Sequence, residues 1–334
     1  MTFDTRLEDA FDQGSEAPMD LPKPRVRIVG CGGAGGNSID RLHRMGLTHG
    51  ETLAVNTDAR HLRGITADRK MLIGGAVTHG LGAGGHPELG LKAAENADEE
   101  LRGHLKDTDL VFLTVGLGGG TGTSLAPHVA RVAREAGALV VSIGTMPFAT
   151  ERGRSRHAHE GARLLRRHSD TTILLDNNRL LELVPHLPLE HAFAVMDHLV
   201  CELVRNVTDT VSVPDLINID FADLRTVMRL GGASTILCGE GSPAEPERVV
   251  EATLASPLMD FALGDATGAL VHVASGPNLS LRSLNAILEG LTNQMRPDAQ
   301  VICGTRIARE LEGTMRVMCI AAGGPVHEVL EAVA

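Results

Sequence analysis

The chain has 334 residues, of which 43% are hydrophobic and 22% charged, a composition typical of a globular protein with a large core and, as a prior, two domains. Its net charge of −11 argues against broad binding to nucleic acid, and the lack of a long apolar run argues against direct membrane insertion. An acidic start unlike a signal peptide, and five cysteines without a C-x-x-C pair, predict a cytoplasmic protein with reduced thiols.

The first stretch, residues 1–22, is an acidic N-terminal arm. Phe3, Leu7 and Phe11 recur at intervals of four, which predicts a short amphipathic helix that the proline-containing residues 17–24 would end. Two interpretations stay open for this arm. It is either a docking element for a partner or membrane adaptor, or a frayed terminal helix resting on the body of the protein.

A predicted strand at residues 25–29 leads into a glycine-rich loop, residues 30–37, and then into a helix. Gly30, Gly32 and Gly35 match the G-x-G-x-x-G dinucleotide fingerprint, which is a weak signal on its own. Glycines let backbone N–H groups approach an anion closely, and a helix N-terminus adds partial positive charge. The context therefore predicts phosphate contact without identifying the nucleotide.

The next predicted strand, residues 52–55, ends in Asn56, Thr57 and Asp58. An acid about twenty residues beyond the fingerprint holds the ribose in dinucleotide enzymes. A helix N-cap is an equally good interpretation of Asp58. A further glycine cluster, residues 80–85, precedes a helix predicted to run through about residue 102.

The fourth predicted strand, residues 110–115, leads into a loop, residues 117–124, with four glycines and two threonines. No basic residue lies between Val111 and His128. Backbone N–H groups, hydroxyls, a helix dipole and a metal ion would therefore have to hold an anion here. A flexible turn is the alternative, but such turns rarely need four glycines. The following helix is predicted to start near Leu125.

Strands that alternate with helices predict a parallel sheet with both faces covered. In such a sheet the three glycine loops share the carboxyl edge, where ligands bind. One dinucleotide fingerprint does not need two further glycine loops, whereas a triphosphate does. We therefore expect residues 23–188 to form an α/β nucleotide-binding domain.

A long helix is predicted from about Leu189 to Val207, within a central segment of residues 189–212. Phe193 and Asp197 lie four apart on one face of it. A carboxylate can accept two parallel hydrogen bonds from the N1–H and N2–H₂ edge of guanine, and a phenyl ring can stack on the base. The spacing alone favours the simpler interpretation, a core phenylalanine and a solvated aspartate.

Residues 213–334 change in character. They contain no glycine phosphate loop, and they predict a second α+β domain with strands at residues 235–238, 269–274, 300–303 and 314–320 and helices near residues 246–255 and 281–295. Asp220 and Asp223 lie three apart at the start of a predicted helix. They could meet a metal ion or water, but acids in a first turn also offset the helix dipole. The sequence does not separate these two interpretations.

Several stretches resemble the FtsZ family of tubulin-like cell-division GTPases, and look closer to its archaeal members. The most specific are residues 118–123, Gly-Gly-Gly-Thr-Gly-Thr, which match the tubulin-family signature, and residues 218–228, which begin Asn-Ile-Asp-Phe-Ala-Asp. Supporting stretches are residues 54–58, 80–84, 147–148 and 180–185. The resemblance runs from about Arg25 to Gly323.

This resemblance implies a Rossmann-like parallel-sheet GTPase domain joined by a long central helix to a smaller α+β domain. It implies a GTP/GDP site at the carboxyl edge, with Mg²⁺ expected at the phosphates and no protein metal ligand assigned. The residues it places at the nucleotide are Gly32, Gly33, Ala34, Gly35, Asn37, Asn56, Asp58, Gly82, Ala83, Gly84, Gly118, Gly119, Gly120, Thr121, Gly122, Thr123 and Pro147, with Glu151 and Arg154 at the ribose and Asn177, Phe193 and Asp197 at guanine.

The resemblance also implies that Asn218, Asp220 and Asp223 enter the nucleotide site of a neighbouring subunit when subunits stack head to tail. Water would then attack the γ-phosphorus, oriented by the two carboxylates. A contact of this kind does not close and builds filaments. The implied partners are further copies of the chain and division or membrane-adaptor proteins, and the implied location is the division site.

The sequence departs from the family pattern at several positions. Ser124 stands where glycine is usual, which would cost on the order of 1 kcal/mol if that position needs a positive φ. His79 replaces an arginine, and Asp40 stands where asparagine is common. These departures leave the hydrolytic acids in place.

Arg152 separates Glu151 from the glycine that usually follows it, so that Arg154 and Arg156 are both candidates for the ribose contact. Arg152 and Ser124 also motivate a rival interpretation, a nucleotide-bound scaffold paralogue with slow or absent hydrolysis. A third interpretation, a dinucleotide-dependent oxidoreductase, would leave the loop at residues 118–123 without a role.

Overall fold

The computed structural model describes residues 24–212, 217, 220–231, 233–256 and 262–324. The predicted N-terminal helix and Asn218 lie outside the described residues. Within the described ranges, no helix is long and apolar enough to cross a membrane.

The first half of the chain forms a six-stranded parallel sheet with helices on both faces. In chain order its elements are β1 (Val26–Cys31), α1 (Gly32–Arg44), β2 (Glu51–Asn56), α2 (Ala59–Gly64), β3 (Arg69–Leu72), α3 (Gly75–Thr78), α4 (Pro87–Asn96), α5 (Asp98–Leu105), β4 (Leu110–Gly116), α6 (Thr121–Glu135), β5 (Leu139–Met146), α7 (Arg152–His168) and β6 (Thr171–Asp176). The strand order is β3-β2-β1-β4-β5-β6. The order reverses between β1 and β4, which opens a crevice at their carboxyl ends.

The rest of the chain crosses to a second, four-stranded sheet. Its elements are a 3₁₀ turn (Asn177–Arg179), α8 (Leu180–Leu183), α9 (Leu189–Ser212), α10 (Phe221–Met228), β7 (Ala233–Gly241), α11 (Pro246–Leu254), a 3₁₀ turn (Leu263–Asp265), β8 (Gly268–Ser275), α12 (Leu281–Thr292), β9 (Gln300–Ile307), a 3₁₀ turn (Arg309–Leu311) and β10 (Met315–Gly324). The strand order is β7-β10-β8-β9. β10 is antiparallel to both neighbours, and β8 is parallel to β9.

The long helix α9 lies between the two sheets. One hydrophobic cluster joins Phe112 of the first sheet to Val204 of α9 and Ile320 of the second sheet. Separate clusters fill the opposite faces of both sheets. A parallel sheet, a long central helix and a smaller mixed sheet confirm the predicted fold class.

Helix α6 begins at Thr121, four residues before the predicted start near Leu125. Gly120 already has helical backbone angles, φ −74° and ψ −52°. The glycine–threonine segment is therefore the first turn of the helix, and its free N–H groups face the end of the sheet.

The single helix predicted through about residue 102 is two helices, α4 and α5. Ala97 separates them, with φ −103° and ψ 7°. Three acids, Asp98, Glu99 and Glu100, form the first turn of α5, where negative charge is favourable. Helix α9 is longer than predicted and ends at Ser212.

Candidate functional site

The three glycine loops meet at the carboxyl edge of the first sheet, as predicted. They meet closely because glycine lets backbone approach backbone. A Cβ built on Gly35 would lie 2.4 Å from the carbonyl oxygen of Thr114, and one built on Gly120 would lie 2.8 Å from the backbone nitrogen of His86. The loops therefore present their N–H groups to a shared crevice.

Two cavities open on this crevice. We call the first, of about 500 Å³, the inner cavity; its volume is typical of small-molecule sites. The predicted site residues that line it are Gly33, Ala34, Asn37, Gly119, Gly120, Thr121, Gly122, Pro147, Glu151, Arg154, Asn177, Phe193 and Asp197. The second, of about 730 Å³, is the outer cavity, to which Gly84 and Gly118 contribute and which shares Thr121, Glu151 and Arg154 with the first.

One end of the inner cavity is formed by α9. Phe193 is 37% exposed, and its ring centroid lies 5.7 Å from that of Phe148 at an interplanar angle of 54°. Asp197 accepts a hydrogen bond of 2.9 Å from the Ser38 hydroxyl. Burial raises the pKa of Asp197, while the Ser38 hydrogen bond and the positive charge of Arg41 act in the opposite direction. Phe193 is therefore not a core residue, and Asp197 is half-buried rather than fully solvated.

Asn177 faces the same end of the inner cavity. Its Oδ1 atom is buried and has no hydrogen-bond partner among the described residues. A buried acceptor without a partner costs about 1–3 kcal/mol. Because Asn177 lines the cavity, a ligand with an N–H or N–H₂ group would satisfy it.

Glu151 and Arg154 lie where the two cavities join. Arg154 donates a hydrogen bond of 2.8 Å to Glu151, whose other carboxylate oxygen accepts one of 3.1 Å from the backbone of Phe148. Arg156 lines neither of these cavities, and Arg152 lines only the outer one. Of the two candidates for the ribose contact, Arg154 is the one at the cavity.

The remaining predicted nucleotide residues support the loops without lining these cavities; they are Gly32, Gly35, Asn56, Asp58, Gly82, Ala83 and Thr123. Asp58 caps α2, because its Oδ1 accepts from the backbone nitrogens of Arg60 at 2.8 Å and His61 at 3.0 Å. Thr123 accepts a hydrogen bond of 2.9 Å from the backbone of Gly118. The N-cap interpretation of Asp58 is therefore realised.

The structure accounts for two of the departures from the family pattern, those at Ser124 and Asp40. Ser124 lies inside α6, has no positive φ and donates a hydrogen bond of 2.6 Å to the carbonyl of Pro87, so the expected backbone cost does not arise. His79 adopts a positive φ of 52°. Asp40 accepts from the backbone of Thr66 at 2.8 Å.

Several residues at the inner cavity were not predicted as site residues. His61 and Met196 line it, and Ser38 bonds Asp197. Ser38 directly follows the first glycine loop and His61 stands in the first turn after Asp58, so proximity to the loops was the available signal. Their residue types carry no motif.

The predicted hydrolytic acids lie away from both cavities. Asp220 and Asp223 form a capping box at the start of α10, in which the Asp223 N–H donates to Asp220 at 2.7 Å. The carbonyl of Met228, at the other end of α10, accepts a hydrogen bond of 2.9 Å from Thr171 at the amino end of β6. The first-turn interpretation is therefore realised, and it leaves the exposed Asp220 accessible.

Helix α9 accounts for this separation. From Asp197 at the inner cavity to Ser212 the helix rises about 22 Å. Near its far end, Asp209 accepts a hydrogen bond of 3.2 Å from Thr48, which precedes the amino end of β2. The chain then continues to Ile217, which exchanges two backbone hydrogen bonds, of 3.1 and 3.0 Å, with Thr305 of β9.

No metal site formed by protein groups is present in the part of the chain that the structure describes. None of its His, Cys, Asp and Glu side chains gather in groups of three or more that could hold an ion.

Comparison with known families decides the relationship. A model of the Tubulin/FtsZ family, GTPase domain, matches residues 25–185, and a model of the FtsZ family, C-terminal domain, matches residues 232–324. The chain belongs to the Tubulin/FtsZ family. The resemblance deduced from the motifs is confirmed, and the two models together span well over half of the chain.

Individual FtsZ proteins show the same relationship. The chain is 50% identical over 303 residues to cell division protein FtsZ 2 of Methanocaldococcus jannaschii, covering 90% of this chain and 80% of that protein. It is 44% identical over 325 residues to cell division protein FtsZ 2 of Haloferax volcanii, covering 97% and 80%. The structure matches an empty FtsZ dimer from M. jannaschii with a TM-score of 0.85 at 39% identity, covering 96% of this chain and 93% of that chain.

Proposed function

We propose that this FtsZ-family protein binds and hydrolyses GTP, and that it assembles head to tail into filaments whose active sites are completed between subunits. The observation that carries the proposal is the separation of the cavities from the acids of α10. A single subunit cannot bring the two together, whereas a second subunit stacked in the same orientation can. Such a heterologous contact repeats without closing.

Guanine recognition is assigned to the end of the inner cavity formed by α9. The carboxylate of Asp197 can accept from N1–H and N2–H₂ of guanine, an edge that adenine does not offer. The unpartnered Oδ1 of Asn177 is a second acceptor, and the exposed face of Phe193 is available for stacking. These acceptors fit guanine.

The phosphates are assigned to the glycine loops. The free N–H groups of the first turn of α6, at Thr121 and Gly122, can donate to phosphate oxygens with the support of the helix dipole. Since no Lys or Arg lies between Val111 and His128, bound Mg²⁺ would supply the positive charge that the loop lacks. Asn37 provides a further donor from the first glycine loop, and Glu151 and Arg154 are assigned to the ribose.

Hydrolysis is assigned to Asp220, Asp223 and Asn218 of the adjacent subunit. Phosphoryl transfer depends mainly on positioning and on stabilisation of charge. Two carboxylates on a capped helix start can orient a water molecule toward the γ-phosphorus. The relatives are named cell division proteins, and one matched structure is of a dimer. We therefore place this protein in cell division, at the division site, with itself and division or membrane-adaptor proteins as partners.

The deciding experiment measures GTP hydrolysis against protein concentration for the wild type and for Asp220→Ala. A site completed by a neighbour predicts a rate per subunit that is near zero when dilute and rises above a critical concentration. Asp220→Ala should bind GTP and stay inactive, while Glu247→Gln on the exposed start of α11 serves as a matched acidic control. A constant rate per subunit would contradict a site shared between subunits. GTP binding without turnover at any protein concentration would support the rival interpretation, a nucleotide-bound scaffold.

A further inference from the structure

The ring of His61 lies between the first glycine loop and the end of β2. It lines the inner cavity, and a Cβ built on Gly36 would lie 3.0 Å from its Cε1 atom. Its two ring nitrogens meet two different amides. Nε2 lies 2.9 Å from Oδ1 of Asn37, and Nδ1 lies 3.3 Å from Nδ2 of Asn56.

These hydrogen bonds have a single consistent direction. The Oδ1 atom of Asn56 accepts from the backbone N–H groups of Thr57 at 2.8 Å and Asp58 at 3.2 Å. The Nδ2 group of Asn56 therefore donates to Nδ1 of His61. A neutral imidazole that accepts at Nδ1 carries its proton on Nε2, so that His61 donates to Oδ1 of Asn37.

This arrangement determines how Asn37 faces the cavity. With its Oδ1 held by His61, the Nδ2 group of Asn37 remains as the donor for a ligand. Turning the amide by 180° would set Nδ2 against the Nε2–H of His61, two donors facing each other. Phosphate oxygens accept hydrogen bonds and cannot donate them, so the observed orientation of Asn37 suits a phosphate, whereas the reversed amide would present an acceptor to it.

We propose that His61 is a positioning residue of the nucleotide site, which holds the amide of Asn37 so that it donates to a phosphate oxygen. The inference rests on the proposed binding of GTP and GDP. It assigns a role to a side chain that belongs to no recognised motif. The ring of His61 links Asn37 of the first glycine loop to Asn56 at the end of β2.

The test measures the affinity of dilute protein for fluorescently labelled GDP in five forms of the full chain: wild type, His61→Phe, His61→Gln, Asn37→Ala and the double variant Asn37→Ala/His61→Phe. Phenylalanine keeps the ring without its nitrogens. Glutamine offers one donor and one acceptor, as neutral histidine does. The thermal unfolding midpoint without nucleotide is measured for each form.

We expect His61→Phe to weaken GDP binding about tenfold, the loss of one oriented hydrogen bond to a charged group, and His61→Gln to recover most of it. In the Asn37→Ala background the same change should have an effect below about twofold, since the residues act as one unit. Unfolding midpoints of His61→Phe and His61→Gln should agree, which separates positioning from folding.

Three results would overturn the inference. They are an unchanged affinity in His61→Phe, a glutamine variant as weak as the phenylalanine variant, and a full additional loss in the Asn37→Ala background. Each leaves GTP binding by the wild type intact. If the wild type itself binds neither GDP nor GTP, the proposed function fails and the role of His61 fails with it.

Discussion

Asp197 must satisfy two opposing requirements. Its carboxylate has to be ionised to accept two hydrogen bonds from guanine, but burial disfavours the charged form and raises its pKa. The hydroxyl of Ser38 and the charge of Arg41 offset part of that burial. In the proposed function, recognition of the base therefore depends on a carboxyl group whose pKa is raised by burial.

This gives a pH dependence with a definite sign. Because burial raises the pKa of Asp197, the protonated form appears at higher pH than for an exposed aspartate, and the affinity for GDP should begin to fall at a correspondingly higher pH as the solution is acidified. Ser38→Ala removes a hydrogen bond that lowers this pKa, so the fall should begin at a higher pH. Titration of labelled GDP at several pH values measures both curves.

Ser242→Ala, in a surface turn of the second sheet, is the matched control and should follow the wild-type curve. Coincident curves for the wild type and Ser38→Ala would contradict the role given to Ser38.

The sequence could place Phe193 and Asp197 on one face of a helix but could not predict their surroundings. Spacing gives direction around a helix axis, whereas burial depends on which sheet the helix packs against. Asp58 shows the same limit, because an Asn-Thr-Asp sequence suits a cap and a ligand contact equally well. These alternatives are separated by three-dimensional packing, which a local sequence pattern does not contain.

Helix α6 and its preceding loop work as one element. The segment has few side-chain donors, so its function depends on how closely backbones approach. Gly120 lies against the glycine loop at residues 80–85, where a Cβ would be 2.8 Å from the His86 nitrogen and 2.9 Å from the Ala83 Cβ. At Gly119 a Cβ would meet no atom within 4 Å.

Gly120→Ala should therefore destabilise the protein by roughly 1–3 kcal/mol, the usual effect of overpacking, and Gly119→Ala should not. Chemical denaturation without nucleotide measures the free energy of unfolding of both variants. Equal stabilities would mean that the loops can move apart freely.

Asp98 joins α5 to α6. Its carboxylate accepts hydrogen bonds of 2.6 Å from Arg102 and 2.7 Å from Arg131, and lies 2.8 Å from His128. The hydrogen bond from Arg102 is the largest cause that lowers the pKa of Asp98. A carboxyl group with a lowered pKa adds stability above its unfolded pKa, and that contribution is lost as the pH falls through the lowered value.

Asp98→Asn should lower the free energy of unfolding at neutral pH by about 1–3 kcal/mol, because charge-assisted hydrogen bonds are lost, and the loss of stability in acid should become shallower. Glu99→Gln, the exposed neighbour in the same turn, should leave stability nearly unchanged. Denaturation curves at several pH values test this, and an equal effect of both variants would rule out the network.

At the scale of the whole molecule, the groups proposed to bind the nucleotide and those proposed to hydrolyse it lie at opposite ends of α9. Glycine loops occupy the carboxyl edge of the first sheet, and the acids of α10 lie beyond the other end of α9. The sequence predicted the alternation of strands and helices, and hence the shared edge of the loops. It could not give the distance from Asp197 to the acids, which follows from the path of α9 between two sheets. The domain boundaries predicted at residues 188 and 212 stay predictions.

Two inactive variants should restore activity when mixed. Asp197→Ala lacks guanine recognition but keeps its acids, and Asp220→Ala keeps its cavity but lacks an acid. In a random equal mixture about a quarter of head-to-tail contacts pair an intact cavity with intact acids. The GTPase rate per subunit should therefore approach about a quarter of the wild-type rate. A mixture as inactive as its components would contradict completion by a neighbour.

The backbone pairing of Ile217 with Thr305 has a mechanical consequence. It fixes the chain just before the acids to the second sheet, while the far end of α10 is hydrogen-bonded to β6 of the first sheet. In the proposed filament, a change of angle between the two sheets would therefore shift the acids of one subunit relative to the cavity of the next. The curvature of the polymer and its rate of GTP hydrolysis would thus be coupled.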